Sequence, residues 1–569
     1  MYSALDSNRH EIRLLRLFAG GETDSVNCEL YTISLDCPDE YEALSYVWGS
    51  SEDRRSITIE RKNKDVTKNL KEALRHLRHR DRLRTIWADA YGRWARFTPR
   101  HLKCWFSSVL KRIMQVPLIP LFFFFTKSWW SHVWTVQELI LAKRVVYHCG
   151  WEIISESDIR NMVSSYTHHA TVKDCCNSNS GSGFNVFDNR GPDLVATMQR
   201  LLRLLEFKEL ISKTVPSFDQ IALEFNVRMA TDPRDKVYGF LGISKGVSTD
   251  SINYNLTTVE VFETTTREFL NYSGNLDLLS HCVKFKRAPR VKKTIGIPSW
   301  VPDWGVQDLS PGGELVQMIY RIPFLHAYKA SGDLNYIPST HIDKGTLTVR
   351  GVLCDTIQTI NSKVRDRVFE GTWDEIHAWR KMVEVDEDPG RPYIAGCTVE
   401  DAFWRTICLD MSATSGMKTD IVSKKRRAGD DDRSIYLNYW YGELVQHYGL
   451  QKPGSPRQPF EVMIFDQHVI RATARRRFFV SKNGYIGLAP PDTQVGDMIC
   501  VFAGGKIPFI IRNLEKGKEP SNDTGEFELE CSLVGDAYVH GLMDGEAVQM
   551  IDEKAKEFQT FKLFWVFLF

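Results

Sequence analysis

The stretch VTKNLKEALRHLRHRDRLRTIWADA, residues 66–90, changes its hydrophobic period partway along, and that change decides the fold class. Leu70, Ala73, Leu74 and Leu77 recur at i, i+3, i+4 and i+7, one face of a helix, and Thr67 stands where an N-cap hydroxyl is wanted. Residues 84–90, RTIWADA, then read as a buried strand that ends on an acid, Asp89. Upstream, SITIE at 56–60 alternates like a hairpin strand. Strand, helix and strand in this order predict an α/β layer with a parallel sheet.

Working outward, partial alternation predicts strands at 12–17, 29–34 and 41–48. Residues 91–127 are Trp/Phe-rich and basic, and their period is neither clearly helical nor clearly β. A helix is expected over 129–143 and a short strand over 145–149. The Asn/Ser/Gly-rich run 177–192 is a loop, and helical periods follow at 194–213, 218–229, 237–243 and 259–270. Further on, 345–360 is β-patterned, 373–384 is helical, and KKRRAGDDDR at 424–433 is a charge-segregated loop. From 475 to 539 turn signals recur at strand-and-turn spacing, which predicts a small barrel or curled sheet.

The organisation expected is therefore an α/β domain over 1–176, with 91–127 atypical, and a mainly helical region over 193–335. A β-rich domain over 340–555 completes it, carrying a helical and charged insertion around 370–460.

Bulk properties narrow the function classes. At 569 residues, about three to four domains are expected. Lys+Arg 73 against Asp+Glu 72 leaves a formal charge of +1, so no global field draws the chain to nucleic acid or to an anionic membrane. The twelve cysteines are dispersed without zinc spacing, which suits reduced core thiols. The opening residues, MYSALDSNRHEIRLLRLF, lack a signal peptide's apolar run. The most apolar stretch, PLIPLFFFF at 117–125, is about half a membrane span and holds two prolines, so no span is expected. A cytoplasmic chain is therefore expected. KKRR at 424–427 hints at a nuclear address, while the adjacent acids point to a solvated loop.

Three ordered stretches carry a resemblance. Residues 41–49, YEALSYVWG, resemble the first signature of the HET (heterokaryon incompatibility) domain of fungal proteins. Residues 86–90, IWADA, resemble the start of the second, and 130–138, WSHVWTVQE, the third. ATDPRDKVY at 230–238 resembles the element that follows HET domains, and 476–490 and 536–546 resemble the C-terminal region of long members. One departure stands out. The family continues the second signature into a Cys-Ile-Asn-Gln segment, a helix and a Trp-Leu-Gly strand, whereas Ala90 runs here into Tyr91-Gly92-Arg93-Trp94. Residues 91–127 are then either an error of the gene prediction or a divergent insert that has lost a helix and a strand, and an inactive paralogue or mispredicted product is the further alternative for function.

The resemblance implies a cell-death effector of self/non-self recognition, with a TIR-like HET domain that signals through a protein partner or self-association. It also implies an alternative. Some TIR domains cleave NAD with a glutamate, and the matching residue is Glu138, which would stabilise an oxocarbenium-like centre beside an aromatic wall. The other role for Glu138 is to hold the third signature against the first. NAD is the one small-molecule substrate suggested, and no cofactor or metal is expected.

The remaining candidate residues are Ser45, Tyr46, Trp48, Gly49, Asp89, Trp134 and Gln137. Asp89 ends a strand, where parallel sheets bind ligands, or else caps the next turn. Ser45 lacks the flanking glycines of a nucleophile elbow, and Tyr46 and Trp48 read as core aromatics. Gly504-Gly505-Lys506 reads as a hairpin turn, Asp232 to Asp235 as an ion-paired turn, and His540, Asp544 and Glu546 as loop residues.

Overall fold

The computed structural model describes residues 11–34, 41–46, 50, 52–87, 102–108, 128–149, 152–161, 191–282, 294–306, 320–340, 343–361, 372–412, 426–438, 441, 460–514, 528–553 and 556–564. The chain divides into two compact units, Met1–Ile252 and Asn253–Phe569. The division falls inside the helical region 193–335. Among the described residues no helix is long and apolar enough to cross a membrane.

The first unit is built on a nine-stranded mixed sheet. Its strands are β1 (Glu11–Leu17), β2 (Asn27–Ser34), β3 (Tyr41–Tyr46), β4 (Arg54–Ile59), β5 (Lys62–Thr67), β6 (Arg84–Trp87), β7 (Leu102–Ser108), β8 (Arg144–Cys149) and β9 (Glu152–Ser155). Their order is β5-β4-β2-β1-β6-β3-β7-β8-β9. The central run β6-β3-β7-β8 and the β2–β4 pair are parallel. The β1–β2, β1–β6, β4–β5 and β8–β9 pairs are antiparallel.

Helix α1 (Lys68–Leu77) forms where the period predicts it. Thr67 caps it by accepting from the Leu70 N–H, and Ala73, Leu74 and Leu77 are buried. Strand β5 has no counterpart in the sequence reading, because KNKDVT is polar and largely exposed and shows no alternation. Residues 91–127 also differ from expectation. They supply β7, which pairs in parallel with both β3 and β8, so a strand fills the slot that the departure from the family pattern appeared to leave vacant.

Further helices of this unit are α2 (Trp134–Leu141), α3 (Gly191–Lys213), α4 (Phe218–Glu224) and α5 (Asp235–Leu241). Helix α4 stops short of the helix expected over 218–229. The Arg228 and Met229 region is drawn off to pair with the chain at Ser131 to Val133 instead.

In the second unit the β-rich part closes on itself. Strand β10 (Leu347–Ile360) pairs with β17 (Gln559–Leu563) along its first residues and with β13 (Met498–Phe502) along its middle. The chain of pairs β13, β14 (Phe509–Asn513), β15 (Glu528–Asp536) and β17 returns to β10, a closed five-stranded ring with β15 and β17 parallel. Register shifts in β10 bend it out of the ring, where its end pairs with β11 (Arg477–Ser481). Strands β12 (Ile486–Ala489) and β16 (Tyr538–Val539) extend that side.

Gly351 sits where β10 pairs with both β13 and β17, and a Cβ there would lie 2.6 Å from the Val501 carbonyl oxygen. Val352, Cys354, Ile499, Val501, Ile510 and Val534 belong to the apolar core. Helices α6 (Thr258–Ser273), α7 (Thr372–Met382), α8 (Val399–Ile407), α9 (Asp430–Ser434), α10 (Phe460–Thr473) and α11 (Glu546–Asp552) complete the unit. Helix α9 corrects the loop expected at 424–433. Asp432 is buried and accepts from the Gly429 N–H and the Ser412 hydroxyl, which organises the acidic run into a turn of helix.

Candidate functional site

Alternation along β3 sends neighbouring side chains to opposite faces of the sheet. Leu44 and Tyr46 join the apolar cluster with Leu74 and Leu77 of α1. Ser45 faces the other way and meets the third signature. Its Oγ accepts from Trp129 Nε1 at 2.5 Å, in the short 3-10 turn Ser128–Ser131. Having accepted there, the hydroxyl donates to the Glu138 carboxylate on α2.

Glu138 is 8% exposed. Burial pushes its carboxyl up to about 7, and the Ser45 hydrogen bond opposes this only in part. Its Oε2 has no hydrogen-bond partner among the described residues. Ser45 lies near the carboxyl end of β3, the end of a parallel strand at which ligands bind in open α/β sheets. Beside this group Trp130 stacks on Tyr147 with ring centroids 5.5 Å apart, and Trp129 meets both rings edge-on.

The segment after the domain clamps this arrangement. Met229 N–H donates to the Ser131 carbonyl at 2.6 Å, and Val133 N–H donates to the Met229 carbonyl at 2.8 Å. The buried Arg228 donates to the Trp130 carbonyl. Lys236, 2% exposed, donates to the carbonyls of Asn226 and Arg228. Burial first, and Arg228 second, pull its ammonium down to about 7. Burial and Lys236 also lower the His132 imidazole. Asp232 and Arg234 form the expected ion pair, at 2.6 Å.

Of the candidate residues, the structure brings Ser45 and Glu138 together. Gln137 is fully buried next to Glu138, Trp134 is half-buried at the start of α2, and Tyr46 is in the core on the far face. Trp48, Gly49 and Asp89 lie outside the described residues. Sequence reasoning missed Trp129, Arg228 and Lys236. The doubled Trp129-Trp130 was the available signal for the first, and nothing in the local pattern marks two cations as buried.

In the second unit Gly504 takes φ +84° in the turn between β13 and β14, and Lys506 pairs with Asp277 at 2.5 Å. His540 to Gly545 is not helical, so His540 and Asp544 do not share a helix face, and Asp544 pairs with Arg427.

Comparison with known proteins finds one family-model match within each unit. The family model described as heterokaryon incompatibility protein (HET) matches residues 41–92, ending where the chain departs from the family pattern. The model described as Het-6 beta-barrel domain matches 464–560, within the unit that holds the closed ring. Heterokaryon incompatibility protein 6, OR allele, of Neurospora crassa is 22% identical over 687 aligned positions, covering 95% of each chain. No solved structure matches. The signatures, the two family-model matches and the end-to-end likeness agree: the chain carries a HET-domain match and a Het-6 beta-barrel match and is similar along its length to a heterokaryon incompatibility protein.

Proposed function

We propose that this chain is an effector of fungal self/non-self recognition that triggers cell death, with its first unit acting as a TIR-like signalling domain. The observation that carries the reading is the Trp129–Ser45–Glu138 chain of hydrogen bonds, which ties the third signature to the first at the carboxyl end of β3. A tie of this kind makes the two signatures move as one body, as a surface that docks a protein partner or a second copy requires. Arg228 and Lys236 extend it into the segment that follows, so a signal arriving there reaches the signatures through main-chain carbonyls.

A second reading, NAD cleavage by Glu138, draws on its unpartnered Oε2 and its carboxyl near neutrality, both features of catalytic acids. Against it stands the low exposure of the side chain, which requires an opening motion before a substrate touches it. Glu138→Gln separates the two, because Gln still accepts from Ser45 but cannot ionise.

The test is induction of the full chain and of this variant in a filamentous fungus, following colony survival and total NAD. Death from both chains without early NAD loss is the expected result. Death with NAD loss that the variant abolishes would replace the docking reading with the enzymatic one. Survival with both chains, with the protein shown to be present, would sink the effector reading for the chain acting alone.

A further inference from the structure

The turn before α8 and the loop after β16 bring together three side chains that none of the HET-domain signatures contains. Cys397 Sγ lies 3.5 Å from His540 Nε2. One ligand atom from each of Cys397, Asp401 and His540 lies within 4.8 Å of the others, and all three residues are half-buried. Cys397 belongs to a turn closed by the Pro392–Thr398 bridge, Asp401 to the first turn of α8, and His540 follows β16 directly.

The surroundings hold this apposition in place. Tyr393 Oη donates to the His540 carbonyl at 3.0 Å and accepts from the Ile486 N–H at 2.9 Å. The Thr398 hydroxyl caps α8 by accepting from the Asp401 N–H at 3.2 Å. Trp404 Nε1 and Arg405 Nε, each at 2.9 Å, fix the Asp401 carboxylate and still leave lone pairs on its oxygens. Gly541 takes φ +85°, and a Cβ there would lie 2.5 Å from Ala395 Cβ, so turn and loop are in direct contact.

His540 Nδ1 faces Tyr538 Oη at 3.0 Å. With the proton on Nδ1, the Nε2 lone pair points to Cys397. Metal-binding histidines have their second nitrogen tied in the same way. The neutral imidazole is the form that binds a metal. Burial raises the Cys397 thiol, so a metal must displace its proton. A nucleophilic Cys–His dyad would need a thiolate beside an imidazolium. Burial opposes both of those charges, whereas a bound cation favours the thiolate and leaves the imidazole neutral.

We propose that Cys397, Asp401 and His540 form a binding site for one zinc-class divalent ion, with a fourth position open to water. Thiolate, imidazole and carboxylate are the donors that zinc takes, and three protein ligands leave one tetrahedral position free. The ion would cross-link the turn before α8 to the loop after β16.

The test uses the full chain, cleared of metal with a chelator and titrated with Co²⁺. One equivalent is expected to raise a near-ultraviolet thiolate-to-cobalt charge-transfer band, which Zn²⁺ then displaces. Cys397→Ser should abolish the band, and His540→Gln should weaken binding by more than about tenfold. Tyr538→Phe keeps all three ligands and should weaken it by about 10–100-fold. Zn²⁺ should raise the Tm of the wild-type chain and leave that of Cys397→Ser unchanged.

The wild-type titration decides even if a variant fails to fold, since a chain with neither band nor Tm shift has no such site. A band that survives in folded Cys397→Ser belongs to another thiol and overturns the assignment. So does rapid alkylation of Cys397 at neutral pH that Zn²⁺ does not slow.

Discussion

Each unit buries a carboxylate deep in its interior, and the two are treated differently. Asp536, in the second unit, lies between two arginines, with Arg321 Nη1 at 2.9 Å and Arg476 Nη2 at 2.5 Å. Glu138, in the first, has one hydroxyl from Ser45 and an oxygen with no partner among the described residues. Asp536 ties the β15–β16 corner to the segments that carry Arg321 and Arg476. Glu138 is a group whose charge is opposed by its surroundings. The difference teaches that burial alone does not mark a site. A carboxylate enclosed by cations is a cross-link, and one enclosed without them is poised to titrate or to move.

Neutralising each acid with its isosteric amide breaks or sharpens this comparison, because the two changes should act in opposite directions. Asp536→Asn leaves two buried guanidinium groups without their counter-ion. It should destabilise the full chain by about 3–5 kcal/mol in urea unfolding. A loss under about 1 kcal/mol would show that the cross-link is dispensable.

Glu138→Gln should do the reverse at high pH. A carboxyl raised to about 7 in the folded chain, against 4.5 when exposed, keeps its proton on folding across that window. Wild-type stability therefore falls as pH rises from 4.5 to 7, by on the order of 3 kcal/mol, and is flat above. The variant lacks that slope, so it should gain on the wild type at pH 8 and lose the gain as pH falls toward 5. Parallel curves across this range would return Glu138 to the class of Asp536.

The smallest effect is expected at Thr67→Ala, which removes the α1 cap and should cost about 1 kcal/mol. It calibrates the other two, since α1 covers the opposite face of β3 from Glu138.

Much of the local structure was legible. The period at 70–77 and the placement of Thr67 are enough to specify α1, because helical amphipathicity and capping depend on residues a few positions apart. The β pattern at 345–360 likewise became β10. Strand β5 was not legible, because its polar residues bury little and leave no alternation to read. Helix α4 ends early because Met229 finds main-chain partners at Ser131 and Val133, which the period of 218–229 does not record.

The candidate site was legible as a set of residues and not as an arrangement. Ser45 and Glu138 were each marked by their signatures. Trp129, which sets the direction of the Ser45 hydroxyl, stands just outside the quoted third signature and 84 positions from Ser45.

What the sequence by itself determined about this protein is its likeness to heterokaryon incompatibility proteins, several of its local elements and the residues available for chemistry. These follow from spacing within short windows, where the chain's own geometry limits the outcome. Only the tertiary structure decided which of those residues meet. The order of β3, β7 and β8, the closure of β10 on β13 and β17, and the approach of Cys397 to His540 across 143 positions are contacts between distant segments. No local period encodes them. They are set when buried faces and strand edges find partners that satisfy both apolar area and main-chain hydrogen bonds at once.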